Sequence, residues 1–379
     1  MNNADINLLL IVVFGYLFVI GLFIPNKQNI SKMTAVSKFK NVFGIFVVFM
    51  LCVFAIQDTD FYHYKELIQY LELEVPTHLE DIYVKIADYV QYNYILFRCV
   101  VFGAAVFFIY AAIKRLGYNI SIFLFIFCLI FLIKFSYSRS SLAMSFSLFG
   151  ASYFIRPFIV TFGEYRTKLF SIITGIVIVI YSCYLHKSAL FISVILIASF
   201  LLRSNKIYGL MLLIYPIVFL CVNFGLKVDD IGVTTSVQIT FFKLYSSADN
   251  VSIGFVAFIL KIIDLLFYIT SFCLVYNKLM LDKNLVCNSA VKQCEIDNYF
   301  CRVCFFCIYL SSLFIFFNGN FMGVLCYRLM YFANLPLCFI LSSIMMFNNR
   351  LMNFKLVLLL GVSYTIIKLM YACFLSVIV

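Results

Sequence analysis

The chain has 379 residues, of which 65% are hydrophobic and 12% charged, and its mean hydropathy is +1.06. A soluble domain is about half apolar and about one quarter charged, so this composition excludes an ordinary water-soluble domain. Windows of roughly 17 to 25 apolar residues recur along the chain, which is the length that crosses a hydrocarbon core. These windows are continuous rather than alternating, so they predict helices and not barrel strands. The fold class predicted is all-α, a polytopic membrane bundle of about 12 transmembrane helices.

The predicted spans form one membrane domain, residues 1–379, with two long outer segments at 58–93 and 226–250. The inner segment 277–298 is predicted to be a polar connection. In chain order the spans are 7–24, 41–57, 94–113, 120–135, 139–155, 169–185, 188–202, 207–225, 251–275, 299–317, 327–346 and 356–376.

Orientation follows from the lysine and arginine residues, which accumulate in every second loop and mark the cytoplasmic side. Both chain termini are therefore predicted to face outside. The net charge of +11 is largely explained by these loops and is not attributed to nucleic-acid binding. The basic loops hold Lys27, Lys32, Lys38, Lys40, Lys114, Arg115, Arg156, Arg166, Lys168, Arg203, Lys206, Lys278, Lys283, Lys292, Arg350 and Lys355.

The first span lacks a basic flank and a small-residue cleavage site, so it is predicted to be a retained helix. The 14 cysteines lie mostly inside apolar runs, where they pack as small hydrophobes. Cys301, Cys304 and Cys307 are spaced three apart. No fourth ligand lies near them in the sequence, so packing is preferred to a metal site.

The first polar group that the topology does not explain follows the second span. Asp58 and Asp60 are two residues apart, with Tyr62 and Tyr64 just beyond. Such a carboxylate pair can bind a cation, hold a sugar or act as a base. A solvated helix end is the alternative. The rest of segment 58–93 is predicted to form one or two short helices at the membrane surface.

The next unexplained groups lie at the outer ends of the third and fifth spans. Glu80 and Tyr83 precede the third span, where an amphipathic surface helix is the alternative reading. Arg139 starts the fifth span on the side that the orientation rule disfavours for cations. It either snorkels to the headgroups or binds an anion, since guanidinium forms bidentate bonds to phosphate. Serines and small residues after Arg139 predict close packing of this helix.

Two later groups complete the outer set. His186 lies in an outer turn with barely any loop, and imidazole has an unperturbed pKa near 6.5, suited to proton transfer. A structural role is the alternative. Arg328 is a second outer arginine, and Tyr327 and Tyr331 flank it on one helical face. Five separate regions thus place polar groups at one membrane level, which suits an anionic, lipid-linked substrate.

The order of these short motifs resembles the EpsG family, which is similar in role to Wzy-type O-antigen and exopolysaccharide polymerases. The motifs are Asp-x-Asp-x-Tyr, Glu-x-x-Tyr, Arg-x-x-Leu-Ala, His-x-Ser-Ala and an outer arginine followed by a tyrosine. The residues that carry the resemblance are Asp58, Asp60, Tyr62, Glu80, Tyr83, Arg139, Leu142, Ala143, His186, Ser188, Ala189, Arg328 and Tyr331.

The resemblance implies a metal-independent glycosyltransferase of the polytopic, lipid-sugar-using, GT-C-like class. Such an enzyme joins undecaprenyl-pyrophosphate-linked oligosaccharide repeat units into O-antigen or exopolysaccharide. It acts at the outer, periplasmic face of the bacterial plasma membrane. The resemblance implies no cofactor and no metal. Its expected partners are the lipid-linked oligosaccharide, membrane lipid and a chain-length regulator protein, with no nucleic acid.

The chemistry of each group suggests its role in that reaction. Arg139 and Arg328 are expected to bind the donor pyrophosphate and stabilise its departure. His186, or a carboxylate of the Asp58 and Asp60 pair, is expected to deprotonate the acceptor hydroxyl. The expected sugar-binding residues are Glu80, Tyr62, Tyr83 and Tyr331.

Two other functions compete with polymerisation. A flippase for lipid-linked sugars needs polar residues near the bilayer midplane. The candidates there are Lys261, Asp264 and Lys368, which form no obvious path. A membrane acyltransferase acting on surface polysaccharide needs a histidine facing a cytoplasmic acyl donor, whereas His186 is predicted outside. In a deletion strain, a polymerase defect leaves single repeat units on the outer surface, whereas a flippase defect traps them inside.

Overall fold

The structure of the chain is a computed structural model. The predicted spans 7–24 and 356–376 and the outer segment 226–250 lie outside the residues that it describes. The described residues are 35–54, 59–73, 79–130, 138–160, 165–187, 189–220, 262–263, 265–274, 276, 288–313 and 321–346.

The fold of these residues is all-α, as the sequence predicts, and no strand occurs among them. In chain order the helices are α1 (Ala35–Phe54), α2 (Thr59–Glu72), α3 (Asp81–Tyr89), α4 (Tyr94–Leu116), α5 (Ile120–Ile130), α6 (Ser138–Val160), α7 (Tyr165–Leu185), α8 (Ala189–Leu201), α9 (Asn205–Leu220), α10 (Leu265–Leu274), α11 (Asn288–Leu313) and α12 (Phe321–Met346).

Two of these helices have both the length and the apolar composition needed to cross a membrane. They are Tyr94–Leu116, which is α4, and Arg328–Met345, which is most of α12. Five further apolar helices of 10–17 residues lie in α1 and α7–α10. Four of them match predicted spans to within about six residues, and Leu265–Leu274 covers the last part of the predicted span 251–275.

The ends of α4 show why the helix begins and stops where it does. The Asn93 side chain accepts a hydrogen bond from the Leu96 amide at 3.1 Å, which satisfies one free N–H group of the first turn. Gly117 ends the helix in the left-handed conformation, with φ of 82°. The positive charges of Lys114 and Arg115 lie in the last turn, where they interact favourably with the negative end of the helix dipole.

The prediction of a polar connection over 277–298 is wrong from Asn288 onward, because α11 begins there. Asp297 explains how a polar residue fits this helix. It is fully buried and accepts hydrogen bonds from the hydroxyls of Tyr118, at 2.6 Å, and Ser343. A buried carboxylate is tolerated when such donors satisfy it.

The chain divides into two compact units. The first comprises Met1–Ser193, Val286–Asp297 and Cys338–Val379. The second comprises Val194–Leu285 and Asn298–Leu337. In the second unit, Cys301, Cys304 and Cys307 are buried, which confirms that they pack as core residues.

Within the first unit, α6 and α7 pack with little space between their backbones. A Cβ atom added to Gly175 would lie 2.7 Å from the carbonyl oxygen of Gly150, closer than real Cβ atoms approach. The Ser147 hydroxyl donates to the Ser182 hydroxyl at 2.7 Å across the same interface. The predicted close packing of the helix after Arg139 is therefore confirmed, and it fixes the position of the first turn of α6.

The opposite face of α7 is apolar and exposed. A soluble amphipathic helix exposes polar residues instead. Gly175 and Ser182 lie on the buried face. The exposed residues recur at helical spacing: Phe170, Ile173, Val177, Ile180, Tyr181 and Tyr184.

Candidate functional site

The described residues of segment 58–93 include the helices α2 and α3, and Glu80 lies at the N-terminal end of α3. Its backbone carbonyl accepts hydrogen bonds from the Tyr83 and Val84 amides at 2.8 and 3.3 Å. The residues that commonly cap a helix from this position are Asp, Asn, Ser and Thr. The Glu80 side chain makes no such capping bond. It is directed instead to two residues from distant parts of the chain.

Those two residues are Arg139 and His186. Glu80 Oε2 lies 2.6 Å from Arg139 Nη1, and Glu80 Oε1 lies 3.3 Å from His186 Nδ1. The three side chains are largely buried, with exposed fractions of 17%, 16% and 6% for Glu80, Arg139 and His186. One carboxylate therefore joins a guanidinium and an imidazole where water is limited, and such ion pairs are stronger there than at an open surface.

Two tyrosines hold Arg139 in place. Arg139 Nε donates a hydrogen bond of 2.6 Å to the Tyr64 hydroxyl on α2. The Tyr83 hydroxyl on α3 lies 3.5 Å from the backbone carbonyl of Arg139, at the outer limit of a hydrogen bond. Tyr83 is fully buried against Phe97 of α4, with ring centroids 6.2 Å apart. The first turn of α6 is thus in contact with both α2 and α3.

The position of His186 is set by the turn between α7 and α8. Its backbone N–H donates to the Ser182 carbonyl at 3.2 Å, which continues the hydrogen-bonding pattern of α7. Its carbonyl accepts a hydrogen bond of 2.9 Å from the N–H of Ala189, which is the first residue of α8. The predicted short connection at His186 is therefore confirmed. A histidine held by two helix ends has little freedom of backbone position.

The electrostatics of Glu80 favour its ionised form. Burial alone would raise the pKa of its carboxyl group and is the largest single influence. The hydrogen bond to His186, the charges of Arg139 and His186 and a backbone hydrogen bond together outweigh burial. The pKa is lowered from 4.5 to about 2. Burial and the Glu80 charge raise the pKa of the Tyr83 hydroxyl, so that group stays neutral.

Comparisons with protein-family models, with curated proteins and with solved structures return no match. The resemblance of the short motifs to the EpsG family therefore stays a prediction.

The structure brings together Glu80, Tyr83, Arg139 and His186 among the residues that the sequence singles out. Asp58 and Ser188 lie outside the described residues. Asp60 and Tyr62 belong to the first turn of α2, where only the backbone is described. A base role for either aspartate stays a prediction.

Arg328 and Tyr331 lie on α12 within the second unit, so their predicted convergence with Arg139 also stays a prediction. Arg328 is partly exposed, whereas Tyr331 is 1% exposed. The side chains of Tyr83 and Tyr331 are thus both buried, and both Glu80 oxygens are bound to protein groups. Their sugar-binding roles stay predictions.

The sequence did not indicate two residues that matter here. In the sequence Tyr64 is only a neighbour of the aspartates, but in the structure it contacts Arg139, with its ring centre 4.8 Å from the guanidinium carbon. Arg98 on α4 is 1% exposed and donates 2.7 Å hydrogen bonds to the Cys52 and Val53 carbonyls. It caps the C-terminal end of α1, directly before α2. An arginine within an apolar run was the available signal.

The cluster combines an anion-binding group with a proton acceptor. Arg139 uses Nε and Nη1 for protein contacts, and no contact of Nη2 occurs within the described residues. Guanidinium is the side chain best matched to phosphate oxygens. His186 contacts the same carboxylate, and a neutral imidazole is a proton acceptor. No group of three metal-ligating side chains occurs among the described residues.

Proposed function

We propose that this protein is a polytopic membrane glycosyltransferase that joins undecaprenyl-pyrophosphate-linked oligosaccharide repeat units at the outer face of the bacterial plasma membrane. The observation that carries the proposal is the cluster of Arg139, Glu80 and His186. An arginine for a pyrophosphate and a histidine for a hydroxyl proton are the two groups that metal-independent transfer requires. The motif resemblance to the EpsG family supports the same reaction.

A multi-pass topology is part of this proposal. The exposed apolar face of α7, with Phe170 74% and Val177 58% exposed, is suited to lipid contact. The buried side of the helix carries small and hydroxyl residues, which is typical of helix pairs in membranes. The site residues adjoin the ends of α6 and α7 rather than their middles. A lipid headgroup could therefore reach Arg139 from the bilayer while its sugars stay in water.

The reaction proceeds by substitution at the anomeric carbon of the donor glycan. The acceptor hydroxyl oxygen forms the new bond to that carbon, and the bond from the carbon to the pyrophosphate oxygen breaks. Undecaprenyl pyrophosphate leaves with the electron pair, and Arg139 stabilises its charge. His186 accepts the proton of the hydroxyl. The products are a longer lipid-linked glycan and free undecaprenyl pyrophosphate.

Replacement of Arg139 tests this role. We expect Arg139→Ala to abolish long polysaccharide chains in a strain that depends on this gene. Arg139→Lys should retain a small fraction of polymer, because lysine keeps the charge without the bidentate geometry. The measurement is glycan length on a gel, with protein level checked in the membrane fraction. Lys187→Ala is the matched control, because Lys187 is exposed beside His186. Unchanged long chains in Arg139→Ala would refute the assignment.

A further inference from the structure

Glu80 contacts both of the groups to which the reaction assigns a task. Its two oxygens are divided between Arg139 Nη1, at 2.6 Å, and His186 Nδ1, at 3.3 Å. The carboxylate lies at the start of α3 and makes no capping bond to its own helix. It is 17% exposed, and both of its oxygens are bound to these two groups.

We propose that Glu80 is a positioning residue that orients His186 as the base and makes its basicity depend on the occupancy of Arg139. This inference rests on the proposed function and deepens it. It replaces the sugar-binding role that the sequence suggests for Glu80 with a role in proton transfer.

The orientation follows from hydrogen-bond chemistry. An ionised carboxylate can only accept hydrogen bonds, so the His186 nitrogen that faces Glu80 must carry the proton. That nitrogen is Nδ1. In the neutral imidazole, Nε2 is then the basic nitrogen. The lowered pKa of Glu80 supports this reading, because the carboxyl group stays ionised throughout the neutral range. A carboxylate on Nδ1 also stabilises the imidazolium that forms when Nε2 takes a proton.

The dependence on Arg139 follows from charge. Glu80 now shares its negative charge between the guanidinium and the imidazole. A phosphate bound to Arg139 competes with Glu80 for the positive charge of the guanidinium. The interaction of Glu80 with His186 then becomes stronger, which favours the protonated imidazole. His186 is thus the stronger base when the donor pyrophosphate is in place, so proton removal is linked to donor binding.

Other charged or titratable groups face this cluster. Tyr64 of α2 accepts the Arg139 Nε bond, and Tyr83 of α3 lies next to the Arg139 carbonyl. Lys187 follows His186 in the chain and is exposed. Burial and the Glu80 charge raise the pKa of the Tyr83 hydroxyl, so that group stays neutral. The pH effect predicted below is assigned to the pair of Glu80 and His186, which are in direct contact.

The test is the pH dependence of polymerisation by the purified full-length protein with lipid-linked repeat units. The variants are Glu80→Gln, which keeps size and removes charge, and Glu80→Asp, which keeps charge. The matched control is Glu66→Gln, an exposed carboxylate of α2.

For Glu80→Gln we expect kcat to fall roughly 100-fold while KM does not rise. The acidic limb of the plot of rate against pH should move to lower pH, because the His186 imidazolium is no longer stabilised by the negative charge of Glu80. Glu80→Asp should return the limb toward that of the unmodified protein. Glu66→Gln should behave as the unmodified protein does. A Glu80→Gln variant with an unshifted acidic limb, or with a raised KM and normal kcat, would overturn the inference.

A second measurement does not depend on activity. Nitrogen-15 shifts of histidine report which ring nitrogen carries the proton, and His186→Ala identifies the His186 signal. We expect the Nδ1–H form to dominate in the unmodified protein and to lose that dominance in Glu80→Gln. If the fraction of the Nδ1–H form is the same in the unmodified protein and in Glu80→Gln, the proposed role of Glu80 is wrong. Absence of polymer with the unmodified protein would instead refute the proposed function, whatever the tautomer.

Discussion

At the residue scale, Glu80 is the residue on which the electrostatics of the site depend. Its two contacts each offset part of the cost of burying a charge. Removal of one partner therefore leaves a buried charge without full compensation, which is the costly case for ion pairs. The same contacts make the folded state prefer the ionised carboxyl.

This preference predicts how stability responds to acid. The pKa of the Glu80 carboxyl is lowered to about 2 in the folded protein, against an ordinary value of 4.5 in the unfolded chain. Because the folded value is lower, the stabilisation from Glu80 is complete above pH 4.5 and is lost as the pH falls toward 2. Thermal unfolding in detergent checks this by comparing the unmodified protein with Glu80→Gln. The gap in midpoint should be largest above pH 4.5 and should narrow below it. A gap that does not vary with pH would contradict the pairing.

At the element scale, the close approach of α6 and α7 sets the distance between Arg139 and His186. Arg139 is in the first turn of α6, and His186 follows the last turn of α7. The two glycines at the contact, Gly150 and Gly175, let the backbones meet. Any side chain inserted there must separate the helices that carry the two functional groups.

We therefore expect Gly175→Ala to lower the stability of the protein by about 1 to 3 kcal/mol, as overpacking does, and to reduce activity. The added Cβ would lie 2.7 Å from the Gly150 carbonyl and 3.0 Å from Phe154. Gly209→Ala in α9 is the control, since no atom lies within 4 Å of its added Cβ. That change should be neutral or stabilising, because alanine favours helix. Thermal unfolding midpoints give the comparison, and equal midpoints for the two variants would refute the packing argument.

Helices could be predicted from the sequence because their signal is local. Continuous apolar windows located α4 and α7–α9 within a few residues, and the serines after Arg139 indicated a packed face. The start of α11 was missed because Asp297 reads as a loop residue until its partners Tyr118 and Ser343 are known. Those partners are 179 and 46 residues away, so no local pattern shows them.

The same limit applies to the site. Orientation of the chain predicted that Glu80, Arg139 and His186 lie at one level, and helix packing brings them into contact. Their pairing could not be predicted, because Glu80 is 59 residues from Arg139 and 106 from His186. The burial of Arg98 was equally hidden, since its acceptors are backbone carbonyls that any sequence supplies.

At the scale of the whole molecule, the orientation predicted from the basic loops can be tested with an exposed lysine on each side. Lys187 is predicted outside and Lys114 inside, and both are exposed. We expect Lys187→Cys to react with a membrane-impermeant maleimide in intact cells. Lys114→Cys should react only after the membrane is opened. The unmodified protein gives the background from its own cysteines. Reaction of Lys114→Cys in intact cells would refute the orientation.

The central claim is that this protein itself polymerises lipid-linked repeat units without a metal. The most direct measurement combines the purified protein with undecaprenyl-pyrophosphate-linked repeat units in the presence of EDTA and follows glycan length. The proposal predicts a ladder of long chains that persists with EDTA, disappears in Arg139→Ala and is retained in Lys187→Ala. Repeat units that stay single with the folded, unmodified protein, or a ladder that EDTA abolishes, would contradict it.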